Sequence, residues 1–454
     1  MAARRWPCTA CSGTDGRGRS RGRGSGFPPT AFVGIVGGGQ AVGSEAVSTA
    51  VHRLHFDLDD QIAERYPQVP FEVRGEGSVE VTLAYEGEGA VVDLGCEDPE
   101  RWRGWSGGAR SRFVIGRDAA TPGYEPGELP DGRWAVVLGL HAIPAAGVDV
   151  TVTVTLPAEG PVEDDPPAPP APSAARGSER GLPAPAGLTW FAGDFHCHSL
   201  HSDGDQSLAQ VAARAVGHGL DFLAMTEHNT VSHHPHLAGV GAAYDLSLLP
   251  GQEVTTARGH ANAFGDIGFI DFRAPADTWE PEVEARGGFL SINHPIEGDC
   301  SWLHPLPSLP PAIELWHIGW FRDLRSTAPW AYWRHWRPDA VLLGGSDFHD
   351  LTHAYPPGTP TTWVLAEDRT PDAVFAAVLA GRTAIAIGPA PGTPTLLRLD
   401  EDLIAIDADG TVLVDIDGRR TAVHGSRVSL PAGDAGTGPF RLESADRTLL
   451  AVSR

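Results

Sequence analysis

The stretch FHCHSLHSDG, residues 195–204, sets three histidines and an aspartate within eight positions, at the end of the apolar run LTWFAGDF (188–195). In an extended chain residues i and i+2 point to the same side. His196 and His198 therefore face one site, while Cys197 faces the opposite wall. Further along, apolar runs end in the same way. LDFLAMT leads to His228 in TEHN, LSLLPG to Glu253 in GQEVTT, GGFLSI to His294 in NHP, and VLLGG to Asp347 and His349 in SDFH. Between the first two runs Leu208, Val211, Ala212 and Ala215 recur at i, i+3, i+4 and i+7 before Gly217 and Gly219, which predicts a helix and its stop. Alternating strands and helices of this length predict an α/β domain, a parallel sheet or barrel of βα units. The loops after such strands share one face, so residues 150 positions apart converge there.

Fifteen of the nineteen histidines lie between 196 and 353, so the enrichment is regional. A single strand-end histidine is more often a capped or core residue than a ligand. Five strand ends in order, each carrying His, Glu or Asp, are not explained that way. Imidazole and carboxylate together form the ligand set of Zn, Mn or Fe rather than of Ca or Mg alone. A carboxylate such as Glu253 can bridge two ions that hold a hydroxide between them. His201, His218, His233, His234, His236, His304 and His335 are expected at the surface or outside the ligand set.

The chain of 454 residues has room for two or three domains with cores of their own. Its formal charge of −24 opposes binding to nucleic acid or anionic membrane, so neither is an expected partner. No run of eighteen apolar residues occurs, which argues against a membrane-spanning helix. Five scattered cysteines do not make a disulfide framework, and the lone Cys8/Cys11 pair has no second pair to complete a metal site. A reducing, cytoplasmic setting fits that usage. Residues 1–45 read as a disordered leader, since AFVGIVGGGQAVG is too rich in glycine for the apolar part of a signal peptide.

Residues 50–157 contain SVEVTLAY, AVVDLG, SRFVIG, RWAVVLG and VDVTVTVTL, short β-branched runs broken by Gly, Pro and Asp. They predict a β-sandwich or jelly-roll-like domain. Trp102, Trp105 and Trp134 could line a ligand surface there, but core packing is the commoner use of tryptophan. Residues 158–187 form a Pro/Ala-rich linker, residues 188–390 the α/β domain, and residues 391–454 a small β appendage.

HCHSLHSDG, TEHN, GQE, GHANAFG, NHP and GGSDFH, in this order, resemble the polymerase-and-histidinol-phosphatase (PHP) metallohydrolase domain. The details are similar to its CehA/McbA branch, typified by carbaryl hydrolase. GWSGG and GYEPGELPDGRW resemble that branch's leading β domain. The likeness spans residues 50 to about 390. It implies a distorted (β/α)7 barrel and two to three divalent ions, Mn, Zn or Fe. It implies one ion on His196, His198, Glu253 and Asp347, a second sharing Glu253 with His260 and His294, and a third on Asp203, His228 and His349. Where family members often carry Glu-x-x-Asn, this chain reads IELWH, with His317 in place of the amide.

The expected chemistry is hydrolysis of a small-molecule ester, the bridging hydroxide attacking phosphorus or a carbonyl carbon. Glu253 is the expected bridge, and His317 and His353 are candidates to protonate the leaving group. A phosphoesterase is favoured. A carboxyl- or carbamyl-ester hydrolase is the alternative, and a non-catalytic binding protein that kept the fold is the third reading. Six of thirteen tryptophans lie between 302 and 336. Trp330, Trp333 and Trp336 either wall an aryl pocket or pack a helix face, the latter being favoured. No oligomeric state follows from the sequence.

Overall fold

A computed structural model describes residues 32–35, 47–337, 339–400, 402–431 and 438–454. The chain divides into two compact units, with the boundary between Asp164 and Asp165. Most of the leader 1–45 lies outside the described residues.

The first unit is built from nine strands: β1 (Phe32–Ile35), β2 (Ser48–Phe56), β3 (Gln68–Val73), β4 (Ser78–Glu86), β5 (Val91–Glu97), β6 (Trp102–Trp105), β7 (Arg112–Gly116), β8 (Gly132–Ala142) and β9 (Val148–Leu156). They form two antiparallel sheets, ordered β1-β2-β9-β4-β7 and β3-β8-β5-β6. The period-2 pattern of the sequence explains the layering. Val79, Val81 and Leu83 of β4 are buried while the residues between them are not, and Val69, Phe71 and Val73 of β3 alternate likewise. The inner faces share one apolar core, in which β4 and β9 of one sheet meet β5 and β8 of the other. Trp102, Trp105 and Trp134 are all buried, so packing accounts for them. Arg103 is buried as well, and its guanidinium donates to Asp98 Oδ2, Glu125 O and Glu128 O at 2.8–3.0 Å. It lies 5.1 Å from the Trp134 ring centre.

The second unit is mixed α/β. Its large sheet includes β10 (Thr189–Asp194), β11 (Phe222–His228), β12 (Ser247–Thr256), β13 (Gly259–Phe264), β14 (Phe289–Ile292), β15 (Ala312–Trp316), β16 (Val341–Gly344), β17 (Thr361–Ala366) and β18 (Thr383–Ala386). They lie in the order β16-β15-β14-β13-β12-β11-β10-β17-β18. Pairing is parallel along β10-β11-β12 and along β14-β15-β16. β13 runs antiparallel to both its neighbours, because the short turn after Thr256 folds it straight back on β12. β17 and β18 are also antiparallel, so the sheet is not the wholly parallel one expected from strand–helix alternation. Beyond β16 the chain returns to β10. Cys197 pairs in parallel with Phe348, Asp347 N–H donates to His196 O at 3.0 Å, and His198 N–H donates to Phe348 O at 3.0 Å.

The helix predicted from the Leu208 periodicity spans Leu208–Gly217, with a capping box formed by Ser207 and Gln210. It buries Leu208, Val211, Ala212, Ala215 and Val216 against the sheet. The C-terminal 391–454 segment is β-structured, and its last strand (Leu449–Ser453) pairs with β18, continuing the large sheet. No helix among the described residues is long and apolar enough to cross a membrane.

Candidate metal centre

The parallel strands deliver their ends to one edge. His196 and His198 follow β10, His228 closes β11, Glu253 lies in β12, His260 in β13, His294 follows β14, and Asp347 and His349 follow β16. Register does part of the alignment, since His228 is paired with Glu253 across β11–β12. The backbone at His294 (φ 25°) and Asp347 (φ 51°) is in the left-handed region, which costs energy for a side-chain-bearing residue. That cost is borne where two of the expected ligands turn inward. Only glycine fits at Gly345, because a Cβ there would lie 2.4 Å from His196 Cβ and 2.3 Å from Glu314 Oε1.

Glu253 is fully buried and surrounded by five imidazoles. Its carboxylate oxygens lie 3.3 Å from His196 Nε2, 3.5 Å from His198 Nε2, 2.8 Å from His228 Nδ1, 3.2 Å from His260 Nδ1 and 3.3 Å from His294 Nε2. Asp347 Oδ1 is 3.2 Å from His196 Nε2 and 3.1 Å from His198 Nε2. Asp203 Oδ1 is 3.3 Å from His349 Nε2 and 3.5 Å from His228 Nε2. All nine expected ligands fall into four groups with converging donor atoms: His198, Asp203, His228 and His349; His196, His294 and Asp347; His196, His198 and Glu253; and His228, Glu253 and His260. This division differs from the one the resemblance implies. Asp347 groups with His294, His198 stands beside the Asp203 group, and His228 joins Glu253 with His260.

Donor separations of this size fit a shared cation. Two atoms each about 2.1 Å from one ion are roughly 3.0–3.4 Å apart in octahedral or tetrahedral coordination. Hydrogen bonding alone does not account for the cluster. His196 Nε2, Asp203 Oδ1 and Glu253 Oε2 are buried and lack an aligned hydrogen bond. The imidazoles also oppose one another. The His198 ring centre is 4.1 Å from that of His349 and 4.3 Å from that of His228. Burial and those two neighbours push the His198 pKa down to about 3. Burial acts downward on His349 too, but Asp203 and Asp347 outweigh it and raise that imidazole to about 10. Burial pushes the Glu253 carboxyl up, yet His196, His228 and His260 hold it well below the usual carboxylate range. The site thus combines anionic carboxylates with imidazole nitrogens, the donor set for a divalent transition ion.

A surrounding layer that the sequence reading missed holds these groups in place. Glu314, the acid of IELWH, lies 2.9 Å from His196 Nδ1 and accepts the His294 backbone N–H at 2.8 Å. Asn293 Nδ2 donates to Glu253 at 2.8 Å, and Thr255 Oγ1 is 2.6 Å from His228 Nδ1. Glu227, the acid of TEHN, accepts from Ser199 Oγ at 2.5 Å and Ser202 Oγ at 2.6 Å. Such partners orient ligand side chains and set which imidazole nitrogen is free. Their signal was a carboxylate one residue before, or three residues before, a histidine already singled out.

The two remaining candidates stand at the margin, outside all four groups. The His317 ring centre is 5.6 Å from that of His294, and its Nδ1 accepts the Gly319 N–H at 3.1 Å. The His353 ring centre is 5.8 Å from that of His349, and His353 Nδ1 is buried without a hydrogen bond. Burial lowers both pKa values, reinforced by His294 for His317 and by His349 for His353. His201 meets Ser232 Oγ at 2.8 Å and joins none of the groups. His233, expected at the surface, is fully buried with its Nε2 3.1 Å from Met225 O, a carbonyl that satisfies that buried nitrogen. The arginines of the Trp-rich segment form ion pairs: Arg322 with Glu297, Arg325 with Asp446, Arg334 with Asp417 and Arg337 with Asp339.

No family model matches the chain, and no curated protein matches it. Among solved structures it is similar to a two-domain protein from Bacteroides vulgatus described as "containing predicted PHP-like metal-dependent phosphoesterase", at 17% identity over 60% of this chain and 89% of that one, with a TM-score of 0.36. It is also similar to an amidohydrolase from Chromobacterium violaceum with bound sulfate and no metal, at 16% identity over 44% of this chain and 98% of that one, with a TM-score of 0.28. Likenesses of this extent do not assign the chain to a family.

Proposed function

We propose that the protein is a metal-dependent hydrolase of the PHP type, in its CehA/McbA branch, whose β10–β18 sheet is a distorted (β/α)7 barrel. The observation that carries the reading is Glu253, buried among five imidazole nitrogens at 2.8–3.5 Å. His196, His198, Asp203, His228, Glu253, His260, His294, Asp347 and His349 would hold two or three Mn, Zn or Fe ions. Bound there, such ions supply a nucleophile at neutral pH and offset charge on the substrate oxygens.

The chain's own residues contribute orientation and a proton. Glu314 beside His196 Nδ1 leaves Nε2 to face the cluster. Because His317 Nδ1 accepts the Gly319 N–H, its proton sits on Nε2, on the side of Glu297 Oε2 at 3.9 Å. In that tautomer the His317 Nε2–H can donate a hydrogen bond to a leaving-group oxygen; protonating it takes the imidazolium form, for which His353 is the second candidate. The free, buried Cys96 and Cys197 suit a reducing compartment such as the cytoplasm.

The favoured substrate is a phosphate mono- or diester. Asp203, His228 and His349, with His198 beside them, form a group beyond the one around Glu253, and an additional cation suits the non-bridging oxygens of a phosphate. A carboxyl or carbamate ester carries no such charge and is the alternative. With Mn²⁺ or Zn²⁺, p-nitrophenyl phosphate or its diester should turn over. p-Nitrophenyl acetate or an aryl carbamate should be at least about tenfold slower in kcat/KM, roughly 1.4 kcal/mol of transition-state preference. The opposite ranking, with phosphate failing even to inhibit, would select the carboxyl- or carbamyl-ester hydrolase.

A further inference from the structure

The Trp-rich segment resolves into two faces. In the helix Ala328–Trp336, Trp330 and Trp333 are buried in an apolar cluster with Ile313, Leu315 and Trp316, which is the packing role expected of them. Tyr332 and Trp336, four residues apart, lie on another face and stack with ring centres 5.5 Å apart at 21°. They are half-buried and belong to the wall of a cavity of about 580 Å³, together with Trp302, His304, His335 and Arg258. That volume is in the range of small-molecule sites.

The cavity is tied to the strands of the metal centre. Arg258 stands two residues before His260. His304 Nε2 is 2.8 Å from Thr256 Oγ1 at the end of β12, the strand that carries Glu253. At Gly259 a Cβ would lie 2.8 Å from Trp302 Cα, so the hairpin and the cavity wall touch backbone to backbone. The Trp302 backbone N–H also donates to Pro295 O, next to His294. Arg258 itself is exposed. Its side chain donates to Leu303 O at 2.9 Å, and among the described residues it makes no ion pair. In a chain with a formal charge of −24, a guanidinium with no carboxylate partner among the described residues, in the same cavity wall as stacked aromatic rings, suits an anion carried on an aromatic ring.

We propose that this cavity is the leaving-group subsite of the hydrolase, and that it takes an aromatic ring bearing an anionic substituent such as a carboxylate. Tyr332 and Trp336 hold the ring, and Arg258 selects the anion. The placement rests on the hydrolase reading above, whereas the ligand class rests on the cavity alone.

The test uses the full chain loaded with Mn²⁺ and two product-like probes, 4-hydroxybenzoate and phenol, titrated by calorimetry. The wild type should bind 4-hydroxybenzoate at least tenfold tighter than phenol. Arg258→Gln should bring that ratio close to one, and Trp336→Leu should weaken both probes, with circular dichroism reporting that each variant is folded. Equal affinities in the wild type, or an unchanged ratio in Arg258→Gln, would overturn the proposal. Ester hydrolysis without measurable binding of either probe would remove the cavity and leave the hydrolase. The expected binding in a protein that hydrolyses no ester would keep the cavity's ligand class and remove the leaving-group role together with the hydrolase reading.

Discussion

Each unit of this protein buries ionisable groups, and it treats them in opposite ways. In the sandwich, Arg103 and Asp98 are 0% and 1% exposed and bond at 3.0 Å, and backbone carbonyls take the remaining guanidinium contacts described. That is a closed arrangement, with a donor for each acceptor. In the α/β unit, Glu253 is equally buried, but five imidazoles surround it, and among the described residues several buried atoms lack an aligned hydrogen bond. A buried ion pair with satisfied partners is architecture. A buried set of converging imidazole and carboxylate donors is an arrangement that can hold a cation.

Breaking the closed arrangement should produce the larger loss of stability. Arg103→Met leaves Asp98 uncompensated, and denaturant unfolding of the sandwich should show a loss of about 3–5 kcal/mol. Metal content should not change. If the variant is as stable as the wild type, the pair is not the closed structural element described.

Breaking the open arrangement should leave most of the stability and remove activity. Glu253→Gln should lower kcat/KM by at least about 100-fold, beyond any single outer ligand, because the carboxylate touches the most imidazoles. A larger loss in Asp203→Asn would mean that the shared position is misassigned.

The orienting layer should give a smaller effect. Glu314→Gln keeps the shape but weakens the hold on His196 and His294. Metal affinity should fall about 10- to 100-fold, read by competition with a chelator. Unchanged affinity would reduce Glu314 to a packing residue. Removal of residues 1–160 should have no effect on metal content, since every candidate ligand lies in the second unit. Loss of bound metal in that truncation would show that the sandwich supports the centre.

The contrast also explains what could be read from the sequence. The alternating run SVEVTLAY was legible as a strand, and the His-x-His pair at 196 and 198 declared its shared side, because both patterns are local. Seven of the nine ligand candidates were legible at successive strand ends, whereas Asp203 and His260 came only from the family resemblance. What escaped was the long-range fitting: Glu314 meets His196 across 118 positions, and no periodicity carries that pairing. The reversed direction of β13 escaped because its turn is short and lacks the Asn-Gly or Asp-Gly signature of a hairpin. The burial of His233 escaped because a polar residue beside other histidines reads as surface, until the carbonyl of Met225 supplies its partner.

The most direct test of the central claim, that the Glu253 cluster is a metal centre, is elemental analysis of the purified full chain after loading with Mn²⁺ or Zn²⁺ and removal of free metal. The account predicts two to three transition-metal ions per chain. A stoichiometry at or below one would contradict it.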